Sequence, residues 1–106
     1  MNKAFIDLPE QDLGIVKQLL QQYVPDYEVR AFGSRVKHNA KKFSDLDLVI
    51  MTKVPINLSI LADLAEAFSN SKLPIKVDLL DWSRLDEGFQ KLIANHSVVI
   101  QQGLSL

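Results

Sequence analysis

AFGSRVKHNAKKFSDLDLVI, residues 31–50, holds two halves of one pattern: Gly33-Ser34, ten intervening residues, then Asp45-Leu46-Asp47. The alternation over residues 27–32 predicts a strand that ends at Gly33 and runs into a helix start at Ser34. Leu46 to Met51 is apolar enough for a strand at the centre of a sheet. Side chains two apart on a strand share a face, so Asp45 and Asp47 stand side by side. Like charges that close raise one another's pKa and weaken a sheet unless a cation sits between them. At the helix start, backbone N–H groups are free, and glycine lets a phosphate reach them with no Cβ in the way. The Ser34 hydroxyl adds a donor. Taken singly, each half has an ordinary reading, as a turn with a serine N-cap or as two acids in a polar loop. Together, at this spacing, average residue usage yields them by chance in roughly one chain per thousand of this length.

A third acid extends the pattern. In IKVDLLDW, residues 75–82, Asp78 interrupts an apolar strand expected over Ile75 to Leu80. If that strand lies beside Leu46–Met51 and in register, Asp78 comes up next to Asp45 and Asp47. Three carboxylates so placed can hold two Mg²⁺ ions about 3.5–4 Å apart. Asp81, beside Trp82, is the competing candidate, but a carboxylate at a strand's end is ordinary turn chemistry. Asp78 is preferred because an acid inside a strand needs a reason. Arg35, Lys37, His38, Lys41 and Lys42 lie between the two halves. Arg35 directly follows the phosphate turn and is the best placed of them for a phosphate contact. His38, Lys41 and Lys42 read as solvated loop residues.

Outward from this centre the chain reads α-β-α-β-α-β-α, with a further strand as an option. A first helix begins near Pro9, buries Leu13, Val16 and Leu20, and stops at Pro25-Asp26. Ser34 to about Lys41 reads as a short helix and basic loop. Asn57 caps a third helix with Ile60, Leu61, Leu64 and Phe68 on its inner stripe. Ser83 caps a fourth, with Asp86 and Glu87 in its first turn. SVVIQ, residues 97–101, is a short last strand or an apolar docking segment. Val98, Val99, Ile100, Leu104 and Leu106 accordingly form either a docking strip or part of the core. The expected fold is α/β (α+β), with residues 1–106 as one domain: a small mixed sheet of three to four strands flanked by about four helices.

Bulk properties narrow the chemistry. The chain has 106 residues, 47% apolar and 24% charged, with a net charge of -1. Nothing global recruits nucleic acid or an anionic membrane, so neither is an expected partner. The absence of cysteine excludes disulfides, thiolate nucleophiles and cysteine-bound zinc. With only His38 and His96 available, a bound metal would take carboxylate oxygen, which favours magnesium or manganese. MNKAFIDLPE is too polar for a signal peptide and no apolar run reaches membrane-spanning length, so a cytoplasmic location is expected.

Gly33-Ser34, the ten-residue gap, Asp45-x-Asp47 and Asp78 resemble the active site of the DNA polymerase β nucleotidyltransferase superfamily. The short chain is similar to its minimal nucleotidyltransferase (MNT) branch. The resemblance spans about residues 30 to 95 and implies a polymerase β-like fold. It also implies magnesium-dependent transfer of a nucleoside monophosphate, with ATP the expected donor, to a hydroxyl. By resemblance, Gly33 and Ser34 hold nucleotide phosphates, and Asp45, Asp47 and Asp78 hold magnesium. MNT proteins commonly act beside a HEPN-domain protein, and in toxin–antitoxin pairs the MNT member is the antitoxin that adenylylates a tyrosine of its HEPN partner. Val36, Lys37 and His38 depart from the family, where a small residue and a glycine are usual. Larger relatives carry a second helical domain that about ten residues after the last helix cannot supply, so a partner is expected to complete the site. Two other readings stand beside this one: a non-catalytic antitoxin that occludes its HEPN partner, and the catalytic half of a small-molecule nucleotidyltransferase.

Overall fold

The computed structural model describes residues 6–37 and 39–104. The expectations placed on His38, on Leu106 and on the first five residues lie outside the described residues. The elements follow as α1 (Glu10–Tyr23), β1 (Glu28–Phe32), a 3-10 turn (Gly33–Arg35), β2 (Leu46–Met51), α2 (Leu58–Ser69), β3 (Val77–Asp81), a second 3-10 turn (Trp82–Arg84), α3 (Glu87–Asn95) and β4 (Val98–Gln101). All four strands join in one mixed sheet, in the order β3-β2-β1-β4. β1 pairs antiparallel with β2 and with β4, while β2 runs parallel to β3. A parallel pair needs a crossover, and α2 supplies it.

Alternation along the strands sorts the sheet into two faces. Val29, Ala31, Leu46, Leu48 and Ile50 are fully buried and pack with Val16 and Leu20 of α1 and Leu64 and Phe68 of α2. Burying a side chain of this kind is worth about 1.5–3 kcal/mol, so this face holds the fold together. The opposite face carries Arg30, Phe32, Asp47, Val49, Asp78 and Leu80, as the strand registers require. Part of it is covered by α3, whose Phe89 meets Phe32 edge to face at 6.0 Å. Val49 and Ile93 are buried there, apart from the main core.

Among the described residues three α-helices form, where about four are expected. Residues 39–44 form no helix: the carbonyls of Lys41, Lys42 and Ser44 accept hydrogen bonds from the Arg35 guanidinium, and the Lys41 carbonyl also closes a turn by accepting from the Ser44 N–H at 3.0 Å. The cap of α3 is Asp86, whose Oδ1 accepts from the Phe89 N–H at 2.8 Å. Ser83, expected in that role, lies in the second 3-10 turn and donates its hydroxyl to Asp81 Oδ1 at 2.9 Å. Asn57 caps α2 as its position predicts, accepting from the Ser59 N–H at 2.8 Å. SVVIQ is a strand: Ile100 is buried and Val98 packs on the core, while Val99 and Leu104 face outward. Among the described residues no helix is long and apolar enough to cross a membrane.

Candidate active site

The register of the parallel pair decides the site. Asp47 on β2 lies directly opposite Asp78 on β3, and the two carboxylates share the face that α1 and α2 leave open. On its other side Asp47 lies opposite Phe32, the last residue of β1. The chain then turns at Gly33 with φ +80°, a conformation that an L side chain adopts only at a cost. A Cβ at Gly33 would also overlap the Asp47 carboxylate. Glycine is therefore required twice over, once for the turn and once for the approach. Asp45 sits one residue ahead of β2 and is partly exposed.

The carboxylates feel one another. Burial pushes the Asp47 carboxyl above its ordinary value, and the charges of Asp78 and Asp45 push it further, with a hydrogen bond to Asp78 acting in the same direction. Lys76, two residues before Asp78 and well exposed, brings its ammonium to 3.4 Å from the Asp78 carboxylate. Such a lysine is a weak, movable counterion.

Among the described residues, no three carboxylate or imidazole groups stand close enough to form a ready-made metal cage. The expected convergence of three acids is thus looser than a cage: Asp47 and Asp78 are paired, and Asp45 acts on Asp47 through its charge. This donor set fits magnesium, which is commonly held by one or two carboxylates and completes its shell with water and substrate phosphates. A zinc-type site built wholly from side chains does not fit it.

Arg35, expected beside a nucleotide phosphate, is turned inward. Its side chain is buried, with 6% exposure. Nη1 donates to the Asp7 carbonyl at 2.9 Å, and Nη2 donates to Ser44 at 2.9 Å and to Lys41 and Lys42 at 3.3 Å each. The 3-10 turn swings the residue after Ser34 inward, so Nη1 and Nη2 brace the loop while Nε lies buried with no hydrogen-bond partner among the described residues. Asp81 is likewise structural, in keeping with the preference for Asp78. It points to the core side of the sheet and accepts hydrogen bonds from Thr52, from the Ile56 N–H and from Ser83. Burial opposes ionisation of Asp81, but those hydrogen bonds outweigh it and hold the carboxyl below its usual range.

A small mixed sheet with α1 and α2 on one face, and an acid pair abutting a glycine turn beside α3 on the other, has an architecture suited to nucleotidyl transfer. Residues 14–103 match the polymerase β nucleotidyltransferase family, and the chain belongs to it. It is 52% identical over 99 residues to a protein of Haemophilus influenzae described as a probable protein adenylyltransferase, MntA, covering 93% of this chain and 87% of that one. Its fold is similar to that in a crystal structure of a toxin–antitoxin with AMP-PNP, with a TM-score of 0.72 at 18% identity over 87% of this chain and 74% of that one. It is also similar to a chain from the complex of a tri-AMPylated Shewanella oneidensis HEPN toxin with its MNT antitoxin, with a TM-score of 0.66 at 17% identity over 88% of this chain and 71% of that one.

Proposed function

We propose that this chain is a cytoplasmic, magnesium-dependent adenylyltransferase that moves AMP from ATP to a tyrosine hydroxyl of a HEPN-domain partner, and that it thereby acts as an antitoxin. The observation that carries the chemistry is the Asp47–Asp78 pair abutting Gly33. The 52% identity to a protein adenylyltransferase supports the donor and the kind of acceptor. The likeness to a chain from a HEPN–MNT complex supports the partner.

In this reading the Gly33–Ser34 turn binds the outer phosphates through backbone N–H groups and the Ser34 hydroxyl. Asp47 and Asp78 hold magnesium or manganese, and Asp45 adds negative charge beside them. A divalent ion bound there supplies charge neutralisation at the α-phosphate and a lower pKa for the attacking hydroxyl. The acceptor oxygen bonds to the α-phosphorus, the bond from that phosphorus to the bridging oxygen breaks, pyrophosphate leaves, and the hydroxyl proton passes to solvent. Arg35 contributes by fixing the loop that leads into Asp45.

Labelled ATP, Mg²⁺ and the HEPN-domain protein encoded alongside form the test. Wild type is expected to label a tyrosine of the partner. Asp47→Ala should reduce labelling by about a thousandfold, several kcal/mol of barrier, with the complex still formed. Labelling by the variant at the wild-type rate would remove the catalytic assignment. Silencing of the partner without any labelling by wild type would favour occlusion.

A further inference from the structure

We propose that the cavity between α3 and the Gly33 turn receives the base of the donor nucleotide, with Phe89 and Leu92 as its contacts to the flat ring. The inference rests on the nucleotidyl-transfer reading above and names the subsite that motif spacing leaves open.

Position argues for it first. The cavity has a volume of about 210 Å³ and is walled by Phe32, Gly33, Phe89, Leu92 and Ile93, with Lys37 and His96 at its rim. Phe32 is the register partner of Asp47, so the wall begins one strand away from the acid pair. Gly33 is shared between the cavity and the phosphate turn. A molecule whose phosphates lie on that turn has the cavity within reach of its other half.

The lining has matching character. Phe89 is 37% exposed and Leu92 62% exposed, and the Phe89 ring stands at 85° to that of Phe32 with 6.0 Å between centroids. A partly exposed aromatic ring beside an aliphatic side chain is a stacking platform, and every base has a π-face to offer it. The cavity is smaller than the roughly 300 Å³ at which pockets for whole small molecules begin. It therefore holds part of a ligand, one ring system. Lys37 and His96 suit a ligand that carries phosphate. A shallower groove continues past them to Asn95 and Ser97, whose amide and hydroxyl can meet the polar edge of a base.

An acceptor tyrosine would also fill an aromatic slot, but the geometry of displacement places it elsewhere. The attacking oxygen and the leaving oxygen lie in line across the α-phosphorus. If the Gly33–Ser34 turn holds the leaving pyrophosphate, the acceptor approaches from the side away from that turn. A cavity that has Gly33 in its wall lies on the donor's side.

Calorimetric titration of the full chain with ATP, and separately with inorganic tripolyphosphate, both with Mg²⁺, separates the ring from the phosphates. Phe89→Ala is expected to weaken ATP about tenfold, the order of one lost base–aromatic contact. Leu92→Ala, at an outward position where folding is not at stake, is expected to do the same. Tripolyphosphate should bind both variants within about twofold of wild type, the ring being absent from it. Equal weakening of both ligands, or of neither, would overturn the proposal. Unchanged ATP affinity with a raised KM for the acceptor protein would also overturn it, by giving the cavity to the acceptor. If wild type binds tripolyphosphate and ATP adds nothing, the cavity proposal falls alone; if wild type binds neither, the nucleotidyl-transfer reading falls with it.

Discussion

Gly33 and Asp47 are best understood as one unit, because each sets the other's surroundings. Gly33→Ala must place a Cβ at positive φ and against the Asp47 carboxylate. The turn conformation alone costs about 1–2 kcal/mol for an L residue, and moving the carboxylate disturbs the acid pair as well. Gly33→Ala is therefore expected to lose transfer activity by two orders of magnitude or thereabouts while the far-ultraviolet dichroism stays that of wild type. A variant with full activity would show that the close approach has no part in the chemistry. Asp47→Asn makes a second, opposite-looking prediction. Burial and two neighbouring acids raise the Asp47 pKa, so its ionised form costs stability when no cation is present. Removing that charge should raise the melting temperature of metal-free protein at neutral pH by a few degrees. Mg²⁺ should stabilise wild type and leave the variant nearly unmoved. A lower melting temperature for metal-free Asp47→Asn would mean the carboxylate is stabilised by contacts other than those described.

At the level of elements, the loop between β1 and β2 depends on a single side chain. Arg35 reaches four carbonyls with a planar fork, a geometry that the point charge of lysine does not reproduce. Each hydrogen bond to a charged group is worth about 1.5–3 kcal/mol, so Arg35→Lys should lower stability to urea by roughly 2–3 kcal/mol. It should also open the loop to trypsin at Lys41 and Lys42, read by mass spectrometry of the first cleavage products. A direct phosphate contact would instead raise the KM for nucleotide without changing the cleavage pattern. Arg35 also shows where sequence reading stops. The motif located Gly33, Asp47 and Asp78 because strand alternation has a fixed period and tells which residues share a face. A 3-10 turn has no such signature, and adjacency to Ser34 carried no information about direction. The same holds at α3, where Ser83 and Asp86 are both good cap formers three residues apart. Only the burial of Asp81, which claims the Ser83 hydroxyl, decides between them. β2 and β3 were legible as apolar runs, and the fold pairs them in parallel across the α2 crossover. β4 was not decided because four residues can be read as strand or docking segment, and β1 settles it by pairing. The cavity beside α3 had no signal in the sequence, since its walls come from β1, the turn and α3 and meet only in the fold.

Over the whole molecule, the two faces of the sheet carry carboxylates of opposite sign in the stability balance. Asp81 faces the core, and its pKa lies below the ordinary aspartate value of 3.8. Its stabilisation is fully present above that value and is lost as pH falls through its lowered folded pKa. Asp47 faces the open side, and its pKa lies above 3.8. Its destabilising effect is absent below that value and sets in as pH rises through its raised folded pKa. Metal-free protein should accordingly reach its best stability, as far as these two groups decide it, on the acid side of neutrality, between the two transitions. Mg²⁺ should remove the decline at higher pH and leave the acid limb unchanged, because only the open face can bind the ion. Melting temperatures from about pH 3 to pH 8, with and without Mg²⁺, measure this directly, the ordinary carboxylate range falling inside that span. Asp47→Asn should flatten the upper limb in metal-free protein, and Asp81→Asn should flatten the lower one while lowering stability at neutral pH by about 2–3 kcal/mol, the worth of hydrogen bonds to a buried charge. An acid limb that moves with Mg²⁺ would mean that the ion reaches the core side of the sheet, and the division of labour between the faces would be wrong.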